Sequence, residues 1–220
     1  MIILKDVEKI YYTEEVETTA LDKICLEIHK GEFVAITGPS GCGKSTLLNI
    51  IGLLDVPNKG QHWFMDEEVS RITERKRIFL RKSNIGFIFQ SFHLIGELTV
   101  YENVELSLLY IGIPSGERKK RVEEALEKTG IAHRRNHFPQ QLSGGQQQRV
   151  AVARAVAANP KLILADEPTG NLDTTHGLEI MALLHDLHRN GTTIVMVTHT
   201  PEFARQAQRI ISLCDGHILN

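Results

Sequence analysis

The sequence predicts an α/β domain with a mostly parallel sheet flanked by helices, and two observations carry that prediction. Three short runs, Phe33-Val34-Ala35-Ile36, Leu162-Ile163-Leu164-Ala165 and Thr193-Ile194-Val195-Met196-Val197, are apolar at nearly every position, as strands are when helices cover both sheet faces. Each run also delivers a polar motif at its C-terminal end, where open α/β sheets place their ligands.

At 220 residues the chain suits one domain, 1–220, with a substantial core and a lobe inserted into it. Apolar residues make up 42% and charged residues 24%, which excludes a disordered or fibrous chain. The net charge of −2 gives no global electrostatic reason to expect nucleic acid as a partner. Cys25, Cys42 and Cys214 are odd in number and lack CxxC spacing, which suits a reducing compartment and predicts a cytoplasmic chain. Met1 to Asp6 lacks a basic segment followed by an apolar core, and no stretch approaches the roughly 18 apolar residues of a membrane helix. Work at a membrane would need another chain to supply the membrane part.

Taken in order, the first 30 residues and residues 60–70 read as short strands and turns that form a small antiparallel β-subdomain. The strand Phe33 to Thr37 leads into Gly38-Pro39-Ser40-Gly41-Cys42-Gly43-Lys44-Ser45-Thr46, and a helical pattern follows through Leu47, Leu48, Ile50, Ile51 and Leu54. Strand, glycine-rich loop and helix are the context of a phosphate-binding loop. The glycines let backbone N–H groups close around phosphate oxygens at a helix N-terminus. Lys44 is expected to reach the β- and γ-phosphates of a nucleoside triphosphate, and the Ser45 hydroxyl to ligate Mg²⁺.

Another apolar strand, Ile85 to Phe89, ends on Gln90, whose neutral amide can touch both a metal and a water. From about 91 to 150 the pattern changes to that of an inserted helical subdomain. Tyr101 to Tyr110 carries Val104, Leu108 and Leu109 on one face, and Glu117 to Lys128 carries Val122, Ala125 and Leu126. Near its end stands Leu142-Ser143-Gly144-Gly145-Gln146, in which Ser-x-x-Gln is a capping box for a helix running through Val150, Ala151, Ala153 and Ala157. Capping does not call for two glycines, each of which costs about 1 kcal/mol in a helix relative to alanine. They point to a close backbone approach to an anion at the helix N-terminus.

Asp166-Glu167 ends the strand Leu162 to Ala165. Adjacent carboxylates at a strand end face different ways, so Asp166 can hold a metal while Glu167 polarises the water that attacks the γ-phosphate. His199 is one of ten histidines, but it ends the strand Thr193 to Thr198, where a donor can meet the γ-phosphate. The cluster Arg71, Arg75, Lys76, Arg77, Arg81, Lys82 and the run Arg118 to Arg121 read as solvated helix faces.

Together these motifs resemble the nucleotide-binding subunit of an ATP-binding cassette (ABC) transporter, over essentially the whole chain. Gly38 to Ser45 is similar to the family's Walker A loop, Leu162 to Glu167 to the Walker B strand with its catalytic glutamate, and Gln90 to the Q-loop. Leu142 to Gln146 resembles the signature, Asn171-Leu172-Asp173 the D-loop and His199 the switch histidine, all in the family's order. An aromatic residue near the N-terminus stacks on adenine in this family, and Tyr11 or Tyr12 can fill that role, Tyr11 being favoured. Thr200 stands where an aspartate often follows the histidine.

The resemblance implies a P-loop NTPase core and an ATPase using ATP and Mg²⁺. Glu167, His199 and Gln90 would be catalytic, and Ser45, Gln90 and Asp166 would hold the metal. It implies a head-to-tail homodimer on ATP binding, in which Ser143, Gly144, Gly145 and Gln146 meet the nucleotide of the neighbouring subunit. It further implies a separate membrane permease docking near Ser91 to Val104, which would place the chain peripherally on the cytoplasmic face of the inner membrane. The compact length and phrases such as Leu47-Leu48-Asn49-Ile50-Ile51-Gly52 resemble the lipoprotein-release and macrolide-export branch. Non-transport ABC ATPases acting on DNA or ribosomes would share these nucleotide residues, but they usually carry coiled coils, zinc inserts or paired cassettes that this sequence does not display.

Overall fold

The computed structural model describes residues 1–12 and 17–219. In chain order the elements are β1 (Ile2–Tyr12), β2 (Glu17–Ile28), β3 (Phe33–Thr37), α1 (Lys44–Ile51), β4 (Lys59–Phe64), β5 (Glu67–Glu68), α2 (Glu74–Asn84) and β6 (Ile85–Phe89). They continue with α3 (Val100–Tyr110), α4 (Ser115–Lys128), α5 (Gly144–Val156), β7 (Leu162–Asp166), α6 (Thr174–Arg189), β8 (Thr193–Val197), α7 (Pro201–Ala204), β9 (Arg209–Cys214) and β10 (His217–Leu219). They fall into two compact units, Met1–Arg81 with Thr193–Asn220, and Lys82–Thr192.

The first unit contains an antiparallel sheet in the order β2-β1-β4-β5. Its two long strands are half-buried ribbons: Ile2, Leu4 and Val7 face inward on β1, as do Leu21, Ile24, Leu26 and Ile28 on β2. The sequence suggested short strands here because the alternation is broken. Register shifts between Leu4 and Val7 and again before Ile10 interrupt it, and Asp6 and Lys23 take positive φ. The same unit carries the strand order β10-β9-β3-β8. β3 pairs parallel with β8 from Phe33↔Ile194 to Ile36↔Val197 and with β9 from Val34↔Arg209 to Thr37↔Ser212. All five residues of β8 and the first four of β3 are buried, which is why these runs read as continuous apolar stretches. β9 turns into β10 through Asp215-Gly216, both at positive φ, the residue pair such a two-residue hairpin favours.

In the second unit β6 and β7 pair parallel from Ile85↔Leu162 to Phe89↔Asp166, so that Gln90 and Glu167 leave adjacent strand ends. Gly86 lets α5 pack on β6: a Cβ there would lie 2.6 Å from the Ala155 carbonyl oxygen. Helices α3, α4 and α5 share a core of Val100, Val104, Leu108, Val122, Ala125, Leu126, Val150 and Ala153. The i, i+4 spacing of Val100, Val104 and Leu108 fixes the inner face of α3, and Leu109, about 100° further round, is 48% exposed. Leu54 likewise misses the core: α1 stops at Ile51, Leu53 turns at positive φ, and Leu54 emerges to solvent. Buried Asn103 pins the segment that enters this lobe. Its Nδ2 donates to the carbonyls of Ile95, Leu98 and Thr99, and its Oδ1 accepts from the Ile95 amide.

Candidate nucleotide site

In the first unit the loop after β3 is shaped by three glycines at positive φ, Gly38, Gly41 and Gly43. A Cβ on Gly38 would collide with the Leu213 carbonyl of β9, and one on Gly43 with the Ala20 carbonyl of β2, so neither position accepts a side chain. The Cys42 carbonyl accepts from the Gly216 amide at 3.1 Å, which braces the loop against the β9–β10 turn. The Lys44 ammonium donates to the carbonyls of Gly38, at 2.9 Å, and Pro39, at 2.6 Å, and so lies over the mouth of the loop. Gly43 caps α1 without any side-chain acceptor. The first amides of α1 therefore point at the loop with the positive end of the helix dipole behind them, an arrangement suited to phosphate.

His199 leaves the end of β8 exposed and lines, with Thr37, Gly38, Pro201, Ala204, Arg205 and Ile210, a pocket of about 360 Å³. Gly38 and His199, 161 residues apart in sequence, thus open onto one space. Tyr11 and Tyr12, at the end of β1, are 40% and 67% exposed. The Tyr11 hydroxyl donates to Asp55 Oδ2 at 3.1 Å, and the Lys9 ammonium, which also holds Asp55 Oδ1 at 2.7 Å, lies 5.0 Å from the Tyr11 ring centre. Burial opposes ionisation of Asp55, but hydrogen bonds from Lys9 and the Val56 amide outweigh it and keep this carboxyl below its usual range.

In the second unit Asp166 closes β7, and Glu167 follows in the left-handed region at φ 49°. The backbone therefore turns between the two carboxylates, a feature beyond the strand alternation from which the sequence reading was made. A bulky residue at positive φ is strained by the order of 1–3 kcal/mol, and such strain clusters at functional sites. Gln90 is held across from it: its Nε2 donates to Asn171 Oδ1 at 3.2 Å, and Asn171 Nδ2 donates to the Gln90 carbonyl at 3.0 Å.

Ser143 and Gln146 close the expected capping box, with the Gln146 amide donating to Ser143 Oγ and the Ser143 amide to Gln146 Oε1. The two glycines between them differ. A Cβ on Gly144 would meet only ordinary contacts at 3.6–3.9 Å, whereas one on Gly145 would lie 2.5 Å from the ring of His176. Close packing inside the chain is therefore a reason for Gly145 that does not depend on the anion suggested by the sequence. The ring cannot easily move away, because His176 Nδ1 sits 2.6 Å from Asp173 Oδ2 while the His176 amide donates to Asp173 Oδ1. Asp173 is the N-cap of α6, and these bonds, led by that from the His176 amide, hold its carboxyl below the usual range.

The first unit thus carries Tyr11, Gly38, Pro39, Ser40, Gly41, Cys42, Gly43, Lys44, Ser45, Thr46 and His199, and the second carries Gln90, Ser143, Gly144, Gly145, Gln146, Asp166 and Glu167. Sequence reasoning passed over His176, Gln148 and Arg154. The first was one of ten histidines, and the other two lie inside a helix read from its apolar residues Val150, Ala151, Ala153 and Ala157.

The family profile described as ABC transporter matches residues 21–170. The ABC transporter ATP-binding protein MJ1508 of Methanocaldococcus jannaschii is 52% identical over 219 residues, covering the whole of this chain and 98% of that protein. The macrolide export ATP-binding/permease protein MacB of Chlorobaculum tepidum is 49% identical over 220 residues, and here the chain spans 34% of the relative's length. Among solved structures, the dimeric post-hydrolysis state of the ATP-binding cassette MJ0796 bound to ADP and Pi superposes with a TM-score of 0.93 at 46% identity, covering all of this chain and 97% of that one.

Proposed function

This chain belongs to the ABC transporter family, and on that premise we propose that it is the subunit that powers a separate membrane permease of the lipoprotein-release or macrolide-export type. Its fold is the P-loop NTPase fold of the ATP-binding cassettes, and its reaction is the hydrolysis of ATP. The observation that carries the permease assignment is the likeness over the whole of this chain to MacB, a protein named as both ATP-binding and permease. Among the described residues no helix is long and apolar enough to cross a membrane. In the proposed assembly the permease crosses the membrane and this subunit docks on its cytoplasmic face.

In this reading the amides of the phosphate loop and Lys44 bind the β- and γ-phosphates, and Tyr11 stacks on the base. Ser45, Gln90 and Asp166 offer a hydroxyl, an amide oxygen and a single carboxylate, a hard oxygen set that fits Mg²⁺ beside a triphosphate better than any softer metal. Bound there, the ion would neutralise charge on the phosphates. Glu167 accepts the proton of the attacking water, and His199 donates to the γ-phosphate. Ser143 and Gly145 complete the cradle for the nucleotide of a second copy.

The segment from Ser91 to Val104 offers the permease less apolar surface than the sequence implied. Phe92 and Leu94 are half-buried; Leu94 packs on the helical core and the Phe92 ring faces Gly144. Ile95, at 40% exposed, is the apolar side chain left for docking. Affinity purification of the tagged chain from detergent-solubilised membranes tests the assignment: a polytopic membrane protein should co-elute and be lost with Ile95→Glu. Recovery with ribosomes or DNA instead would replace a transport role by the non-transport one.

A further inference from the structure

We infer that Gln148 and Arg154 make α5 a strut that fixes the backbone positions of Gln90 and Glu167, so that they act as positioning residues linking the signature to the catalytic residues of the same chain. The inference rests on the roles just assigned to Gln90, Glu167 and the signature.

Gln148 lies on the second turn of α5 and is fully buried. Its Nε2 donates to the carbonyl of Pro168 at 2.6 Å and to that of Phe89 at 3.4 Å. Phe89 is the residue before Gln90, and Pro168 the residue after Glu167. One amide group therefore spans the two strand ends from which the Q-loop and the catalytic glutamate depart. Both partners are acceptors, so the amide nitrogen must face them. That orientation leaves Gln148 Oε1 buried with no hydrogen-bond partner. An unpaired buried acceptor is a cost that methionine or leucine would avoid while filling the same space. What the site retains is the donor.

Arg154, further along the same helix, makes the second tie. Its guanidinium forks onto the carbonyls of Phe92, at 2.8 Å, and His93. These are consecutive non-glycine residues at φ 56° and 49°, a strained pair that stays in place only when its surroundings dictate it. The planar fork suits two neighbouring carbonyls in a way that a lysine ammonium cannot reproduce. At the start of the helix, Gly144 faces the Phe92 ring. A shift of α5 as its N-terminus closes on the neighbour's nucleotide would move the backbone on both sides of Gln90 and the residue that follows Glu167. The two nucleotide sites of a dimer would then be coupled through one helix in each subunit.

The test compares the purified full-length wild type with Gln148→Met and Arg154→Lys, measuring steady-state ATP hydrolysis, ADP affinity by calorimetry and the unfolding temperature. Hydrolysis by the wild type checks the underlying function on its own. Well below its unfolding temperature, Gln148→Met should bind ADP within about 2-fold of wild type yet turn over about 10- to 100-fold more slowly, the loss expected when catalytic groups are displaced by about 1 Å. Arg154→Lys should fall in between. A folded Gln148→Met with wild-type kcat, or one whose loss is entirely in ADP affinity, overturns the proposal. Should Gln148→Met fail to fold, Arg154→Lys decides alone: wild-type kcat there overturns it equally.

Discussion

Glu167 is set at a strained left-handed turn one residue beyond the strand, next to Asp166, for which a different role is proposed. The pair was legible in the sequence because an apolar run ends on it, but the turn was not, since nothing in the residue names signals positive φ. His62 shows a residue-scale property with no bearing on nucleotide chemistry. It is buried in β4 with no hydrogen-bond partner for Nε2, and burial pushes its pKa down to about 4. The unfolded chain protonates this side chain near pH 6.5 while the folded chain does not, so stability should be fully present above pH 6.5 and fall as pH drops toward 4. The loss reaches roughly 3 kcal/mol at about 1.4 kcal/mol per unit. Urea unfolding midpoints at pH 7.5, 6 and 5 check this, and His62→Leu should flatten that part of the profile.

At the scale of elements, the strands β3, β6, β7 and β8 and the helices α3, α4 and α5 were readable because each has one unambiguous apolar pattern of the right period. The ribbon β1–β2 was not, because its register shifts break the alternation on which such reading depends. The start of α5 was read correctly as a capped helix, but its glycines do different jobs. Gly144→Ala should be neutral or stabilising by up to about 1 kcal/mol, the helix propensity of alanine over glycine. Gly145→Ala should destabilise by about 1–3 kcal/mol as its methyl overpacks His176. Equilibrium unfolding of the two variants distinguishes them, and His176→Ala should restore Gly145→Ala, a coupling expected only if the clash is the cause.

For the molecule as a whole, the order of motifs along the chain was enough to identify an ATP-binding cassette, because nucleotide binding fixes residue types at fixed spacings. The internal wiring stayed hidden: Gln148 and Arg154 bond to backbone carbonyls, and a carbonyl leaves no mark on the sequence. An apolar residue after Gln90, such as Phe92, likewise looks the same in sequence whether it packs on Gly144 or waits for a partner. Ser143 and Gly145 are proposed to serve the nucleotide of a second copy, so that closure would be conditional on ATP. Glu167→Gln should slow hydrolysis by about 10²–10⁴-fold and so trap the closed pair. Light scattering of this variant with saturating ATP and Mg²⁺ is the direct measurement: a mass twice the 24.7 kDa of one chain is predicted, reverting to one chain when Ser143→Arg is added, whereas a mass that stays at one chain with ATP bound would contradict the account.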